Sequence, residues 1–219
     1  MQIGCDYGKT EAKSAVDKLL EKAKEQNWPL KIIFCVGCCG CSSETKGTNF
    51  CGHVLLSKEA GGYTSKKTEN GLEFKNRSSN NMDEDWVKLL GDEPVYYPGA
   101  NPIKVTKADC IYSGDIVIAD PVAARQLRDG RKLIGIEMEG SGIARGLREC
   151  DPLPATLKSD NFLVVKGVSD NADSGKKKEI ETLLFGEKRG PLNDDERQEV
   201  ATLQSVALVC RAIATRYKN

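Results

Sequence analysis

Two segments constrain this chain most: residues 134–144 (IGIEMEGSGIA) and 163–173 (LVVKGVSDNAD), each an apolar run that gives way to acidic side chains. Such a switch reads as a strand handing over to a loop or helix. In an open α/β sheet, ligands lie beyond the carboxyl ends of the strands, so this pattern brings Glu137, Glu139 and Asp170 toward one ligand site. In the first segment a strand over 133–136 is followed by Glu137-Met138-Glu139 and a small-residue helix start, Gly140-Ser141-Gly142, where backbone and ligand can approach closely. In the second, 161–168 has the β-branched character of a buried strand and ends in Ser169-Asp170, with Asp173 one turn later. Taken singly, these acids have ordinary explanations: solvated acids at a helix start for Glu137 and Glu139, a helix cap for Asp170.

Charge and length narrow the function classes. The 32 basic residues balance 32 acidic ones, so no global field draws nucleic acid or an anionic membrane surface, and a small-molecule ligand is expected. The 219 residues suffice for one α/β domain, read here as spanning 1–219. No apolar run approaches the roughly 20 residues that cross a bilayer, and the first residues lack a signal-peptide core, which makes a soluble, cytoplasmic protein the expectation.

Nine cysteines, five of them at positions 35, 38, 39, 41 and 51, raise the alternatives of a disulfide framework or a metal site. Adjacent Cys38 and Cys39, with no second Cys-x-x-Cys pair, do not fit a simple tetrahedral zinc site. Reduced cysteines acting as small buried hydrophobes fit better, and no metal is expected. The lone histidine, His53, reads as the opening residue of a strand.

Helical spacing of Ala12, Val16, Leu19, Leu20 and Ala23 predicts an amphipathic helix over 10–26, ended by Pro29. Strands are expected at 31–36 and 53–57, separated by a glycine- and cysteine-rich loop, and at 110–118 with an interruption at Gly114-Asp115. Residues 64–82, rich in Ser, Thr, Lys and Asn, read as an exposed loop, and 83–90 as a short helix. Asp120-Pro121 has N-cap and first-turn chemistry, and Asn193 with Glu196 forms a capping box for a last helix that Val200, Leu203, Ala207, Cys210 and Ala214 dock on the sheet. Strands alternating with helices predict a three-layer αβα sandwich around a central mixed sheet.

Together the motifs Glu137-Met138-Glu139 and Ser169-Asp170, with Val36-Gly37-Cys38-Cys39-Gly40 and Ser113-Gly114-Asp115 upstream, resemble the nucleoside phosphorylase and nucleosidase superfamily. The likeness runs from about residue 8 to the C-terminus, weakest between 64 and 105, and the order of the motifs matches. The family's earlier strands, with the glutamate that activates water in the nucleosidases, have no counterpart before Gly8, so the chain is read as short at its N-terminus. Cys35 stands where the phosphorylase pattern has an arginine, and Cys38 where it has a phosphate-contacting serine.

The resemblance implies cleavage of the N-glycosidic bond of a purine nucleoside, with adenine-type bases favoured by an aspartate at 170. It gives Glu139 the ribose hydroxyls, Met138 a place under the sugar, and Glu137 either a hydroxyl or the orientation of the loop. Asp170 would protonate the leaving base, with Ser169 positioning it and Val117 and Ile118, beside Ile116, as an apolar wall against the base; core packing is the alternative for these aliphatics. Asp170 has to carry a proton for this task, and Glu137 and Glu139 are the negative charges expected to favour it. Water and phosphate both remain open as the attacking group. For phosphate as co-substrate, Gly37, Cys38 and Gly40 offer an anion-binding backbone nest, with Lys166, Lys176 and Lys177 as further cations unless they are merely solvated. No other cofactor is implied, and a homo-oligomer is expected. A nucleoside-binding or regulatory module of weak catalysis is the alternative function.

Overall fold

The computed structural model describes residues 8–45, 48–68, 71–76, 80–91, 103–114, 116–118, 120–172 and 192–217. Helix α1 (Lys9–Glu25) buries Ala12, Val16, Leu20 and Ala23, the stripe expected from their spacing. The remaining elements are β1 (Ile33–Ser43), β2 (Val54–Leu56), β3 (Glu59–Thr68), β4 (Gly71–Asn76), β5 (Asn80–Asn81), α2 (Glu84–Gly91), β6 (Val105–Lys107), β7 (Cys110–Ser113), α3 (Pro121–Arg128), β8 (Leu133–Glu137), α4 (Gly140–Glu149), β9 (Phe162–Asn171) and α5 (Asp194–Arg216).

Caps set several boundaries. Asp120 accepts the N–H groups of Val122 and Ala123, with Pro121 in the first turn of α3. Asn193 and Glu196 form a reciprocal capping box on α5, an arrangement that stabilises a helix start by about 1 kcal/mol.

The strands form one mixed sheet in the order β4-β3-β7-β8-β1-β9-β2-β6, with β5 paired to β3. β1 is central: it runs parallel to β9 from Ile33 to Cys41 and antiparallel to β8 from Gly40 to Ser43. The register shifts between Cys39 and Gly40, where β9 carries one extra residue, Ser169, as a bulge. Helices cover both faces. A Cβ on Gly140 of α4 would lie 2.9 Å from Val164, while one on Gly167 would run into the Ala201 carbonyl of α5. Residues 164 and 167 of one strand point to opposite faces, so α4 and α5 sandwich the sheet in three layers. α1 stacks on α4, where Gly142 makes room for the Lys9 carbonyl. Phe34 meets Trp86 of α2 edge to face at 5.1 Å, on a core that includes fully buried Phe162, Leu163, Val164 and Val165.

Three local expectations change. Within the 64–82 stretch expected as a loop, residues 64–68 and 71–76 belong to the strand pair β3–β4; β4 is an edge strand, and edges carry the polar, lysine-containing composition that reads as loop. The 110–118 strand ends at Ser113, where the N–H of Gly114 donates to the Glu137 carbonyl. Residues 37–40 lie inside β1 and form no separate glycine loop. Cys35, Cys39, Cys41, Cys51 and Cys110 are buried and pack as small core side chains. His53 directly precedes β2, its Nδ1 2.7 Å from Thr106 Oγ1.

Candidate active site

β8 and β9 flank β1, the first antiparallel and the second parallel to it, and their carboxyl ends meet across it near Gly40. Gly40 pairs with Ile136 on β8 and with Asp170 on β9, so the residues that follow Ile136 and those around Asp170 come together across one central strand. A cleft of about 960 Å³ opens there. It is lined by Glu137, Met138, Glu139, Ser169 and Asp170, by Gly37, Cys38 and Gly40 on its β1 side, and by Ile116, Val117 and Ile118. Every described residue singled out from the sequence motifs as a ligand contact thus faces one cavity. Asp115, Asp173, Lys176 and Lys177 lie outside the described residues.

Glu137 is the buttress of the site. It is 5 % exposed; one oxygen receives Ser113 Oγ–H and the Gly140 N–H, the other the N–H groups of Glu139 and Gly140 and the Lys166 ammonium at 3.2 Å. With its lone pairs so engaged, Glu137 orients the loop; of its two expected roles, the ribose contact has no acceptor left. Ser113 Oγ in turn accepts the Ser141 N–H at 2.7 Å, tying β7 to the start of α4. Burial opposes ionisation of Glu137, but Lys166, Ser113 and the Glu139 N–H outweigh it and hold the carboxyl below the usual range.

The sequence leaves Lys166 as either a cation for phosphate or a solvated lysine; in the structure it is a buried partner of two carboxylates. It is 2 % exposed, on β9 opposite Gly37. Its Nζ lies 2.9 Å from Glu139 Oε2 as well as 3.2 Å from Glu137. Burial works against the ammonium, yet the flanking carboxylates keep its pKa well above the usual lysine value. The neighbouring Cys35 thiol, pushed up to about 12 by burial, is neutral at physiological pH. Glu139 is pushed the other way from Glu137: burial, then the charge of Glu137, raise it despite Lys166. Its side chain is 18 % exposed, which leaves Glu139 as the carboxylate of the pair that reaches the cavity.

The glycines of β1 are clearances. A Cβ on Gly37 would stand 3.1 Å from Lys166 Nζ, and one on Gly40 3.1 Å from Asp170 Oδ1. Neither has a positive φ, and both lie in a paired strand, so the expected anion nest, which needs a turn of alternating handedness, is not formed.

Ser169 Oγ is 3.0 Å from Asp170 Oδ2 and 3.3 Å from the Cys39 carbonyl. One hydroxyl proton serves only one acceptor. With it on the Cys39 carbonyl, the Ser169 lone pair is open to a proton carried by Asp170. The negative field expected from Glu137 and Glu139 is offset by Lys166 between them.

The aliphatic wall divides. Ile118 is 7 % exposed and belongs to a core cluster with Tyr63 and Ala172, whereas Val117 is 74 % exposed on the cleft. Tyr63 holds the segment: its ring passes where a Gly114 side chain would be, and its OH donates to the Ile116 carbonyl at 2.6 Å. Sequence reading missed Tyr63. It also missed the part of α5 that lines the cleft, namely Asp195, Gln198, Glu199, Thr202 and Leu203; the exposed side of an amphipathic helix gives no local sign that a cavity lies beside it.

No protein-family model matches the sequence, and no curated protein does. Solved structures do. A methylthioadenosine/S-adenosylhomocysteine nucleosidase from Neisseria meningitidis, in complex with methylthio-immucillin-A, is 16% identical with a TM-score of 0.63, covering 96% of this chain and 79% of that one. The chain has the nucleosidase fold. Two further structures with this fold are a putative nucleosidase of the same kind from Borrelia burgdorferi bound to adenine (15% identity, TM-score 0.65, 96% and 78% covered) and the futalosine hydrolase of Helicobacter pylori (14%, 0.55, 94% and 77%). In this nucleosidase fold, the chain's cleft sits at the strand ends of β8 and β9, the place open α/β sheets use for ligands.

Proposed function

We propose that the protein hydrolyses the N-glycosidic bond of purine nucleosides, adenine-type bases being favoured. The observation that carries this reading is the convergence of Glu139 and Asp170 on one cleft, the first reaching it with a buried ammonium behind it, the second beside Ser169. Ribose hydroxyls donate to Glu139, whose negative charge favours the cationic sugar as the C1′–N9 bond lengthens. The bond breaks with its electron pair going to the purine, and Asp170 delivers a proton to N7. Water oxygen adds to C1′ and releases the proton that balances the one given to the base, leaving free base and ribose.

Water is preferred to phosphate because Lys166 is the single cation among the described lining residues, and it is buried between two carboxylates. A phosphate dianion entering this lining meets no free positive partner.

Base release from adenosine, methylthioadenosine, inosine and uridine, with and without phosphate, tests the reading, with Asp170→Asn as control. Phosphate-independent release of purine, lost in the control, is the expected result. Strictly phosphate-dependent release overturns hydrolysis in favour of phosphorolysis, and tight nucleoside binding without release supports a binding module instead.

A further inference from the structure

Helix α5 has two sides, and both carry apolar residues. It packs on the sheet through Ala201, Gln204, Ser205, Leu208, Val209 and Ala212, which fall on one side at about 3.6 residues per turn. Leu203, Cys210 and Ala214, expected from the sequence to dock this helix, are exposed and lie on the opposite side. There Leu203 is 45 % exposed, Val206 and Ile213 39 % each and Tyr217 54 %, with Cys210 also exposed. Single exposed apolar side chains are ordinary on a protein surface, but a continuous stripe marks a contact. This one runs about 21 Å along the helix.

Its spacing is that of a helix seam. From Glu199 the stripe advances by steps of four, three, four, three and four residues through Leu203, Val206, Cys210, Ile213 and Tyr217, the alternation that keeps a and d positions on one line. The steps read the same in either direction, so the stripe matches a copy of itself laid antiparallel. Charge favours that direction too. Asp194, Asp195 and Glu196 fill the first turn, Glu199 follows one turn on, and Arg197 is held by Asp194. At the other end stand Arg211 and Arg216, the latter over the Trp86 ring at 4.6 Å, and Lys31, whose ammonium lies 5.8 Å from the centre of the Tyr217 ring. Parallel pairing would stack the acids of two copies on one another. Antiparallel pairing sets acid against base and aligns the helix dipoles favourably.

We infer that α5 is a self-association surface: two copies of this chain join about a two-fold axis, α5 against α5 in opposite directions. Matching the steps sets Leu203 against Ile213 of the second copy, Val206 against Cys210, and Glu199 against the Tyr217 ring with Lys31 beside it. A two-fold contact makes each of these twice. The α5 surfaces are folded and held by the sheet before they meet, so little ordering opposes the contact. The two Cys210 residues come about 6 Å apart along the axis, within reach of a short cross-linker. The inference stands apart from the chemistry in the cleft.

Sedimentation equilibrium of the full chain in reductant should show a monomer–dimer equilibrium with a Kd on the order of 10 µM, in keeping with a small interface. Val206→Glu with Ile213→Glu should weaken it by about 100-fold or more, at unchanged helix content by circular dichroism. Glu199→Lys alone and Lys31→Glu alone should each weaken it about fivefold, and the two together should restore it. Bismaleimidoethane should give a covalent dimer, which Cys210→Ser loses while still sedimenting as a dimer. A monomer at about 300 µM, a dimer indifferent to the Val206 and Ile213 changes, or a charge exchange that fails to restore association overturns the inference. So does a cross-link that persists in Cys210→Ser, which would place another surface at the contact.

Discussion

Lys166 Nζ lies 2.9 Å from Glu139 Oε2, across a strand whose Gly37 has no side chain to obstruct it. The ammonium reaches from β9 over β1 to the loop after β8, where it also meets Glu137 at 3.2 Å. A buried ion pair of this kind is costly to break from one side, because the partner charges remain without compensation.

Lys166→Met should therefore lower stability by about 3–5 kcal/mol, measured by urea unfolding. Glu137 is held below the usual carboxylate range, so its share of stability is present above the unfolded-state pKa and is lost as pH falls through the lower folded value. In the variant that acid-side loss should begin at higher pH.

Catalysis supplies a second sign. Glu139 lies above the usual range, with Lys166 opposing the rise. Removing the ammonium raises it further. If ionised Glu139 holds the ribose, the acid limb of kcat/KM moves to higher pH in Lys166→Met; an unmoved limb would mean another group controls it.

Asp170→Asn keeps the shape of the side chain and removes the transferable proton. Turnover should fall about 100-fold or more, while nucleoside affinity by calorimetry changes only a few-fold. Equal losses in both would make Asp170 a binding residue and not the acid.

Gly40→Ala tests the clearance beside that carboxylate. Its Cβ would be 3.1 Å from Asp170 Oδ1 and 3.6 Å from the Ala172 Cβ, so the carboxylate must move by a few tenths of an ångström. The expected result is a drop in kcat of about tenfold with a folded, cooperative unfolding curve. A kcat equal to that of the native protein would show that Asp170 tolerates the displacement.

Ser113→Ala removes a hydrogen bond to a buried carboxylate and the partner of the Ser141 N–H. The loss should be about 1.5–3 kcal/mol in urea unfolding. A loss below about 0.5 kcal/mol would show that Glu137 holds the loop without Ser113.

Much of the local order was legible in the chain. The stripe Ala12-Val16-Leu20-Ala23, the caps at Asp120 and Asn193, and the β-branched run into Ser169-Asp170 are short-range patterns, set by helical periodicity and by nearby backbone donors. The motifs at 137–139 and 169–170 also named side chains that share one cleft. The β3–β4 pair was not legible, because a polar edge strand and a polar loop have the same composition.

By itself, then, the sequence determined the helices, the buried strands and the identity of the acids at their ends, since each depends on neighbours within a few residues. Only the tertiary structure decided that Lys166 is a buried partner and not a solvated lysine, that Gly37 and Gly40 are clearances in a paired strand, and that Glu137 has no acceptor free for a ligand. It also decided that α5 forms one wall of the cleft. These properties depend on the register of β1 against β8 and β9 and on the bulge at Ser169 of β9 opposite Cys39–Gly40, which bring together residues far apart in the chain whose burial and charge have no local signature.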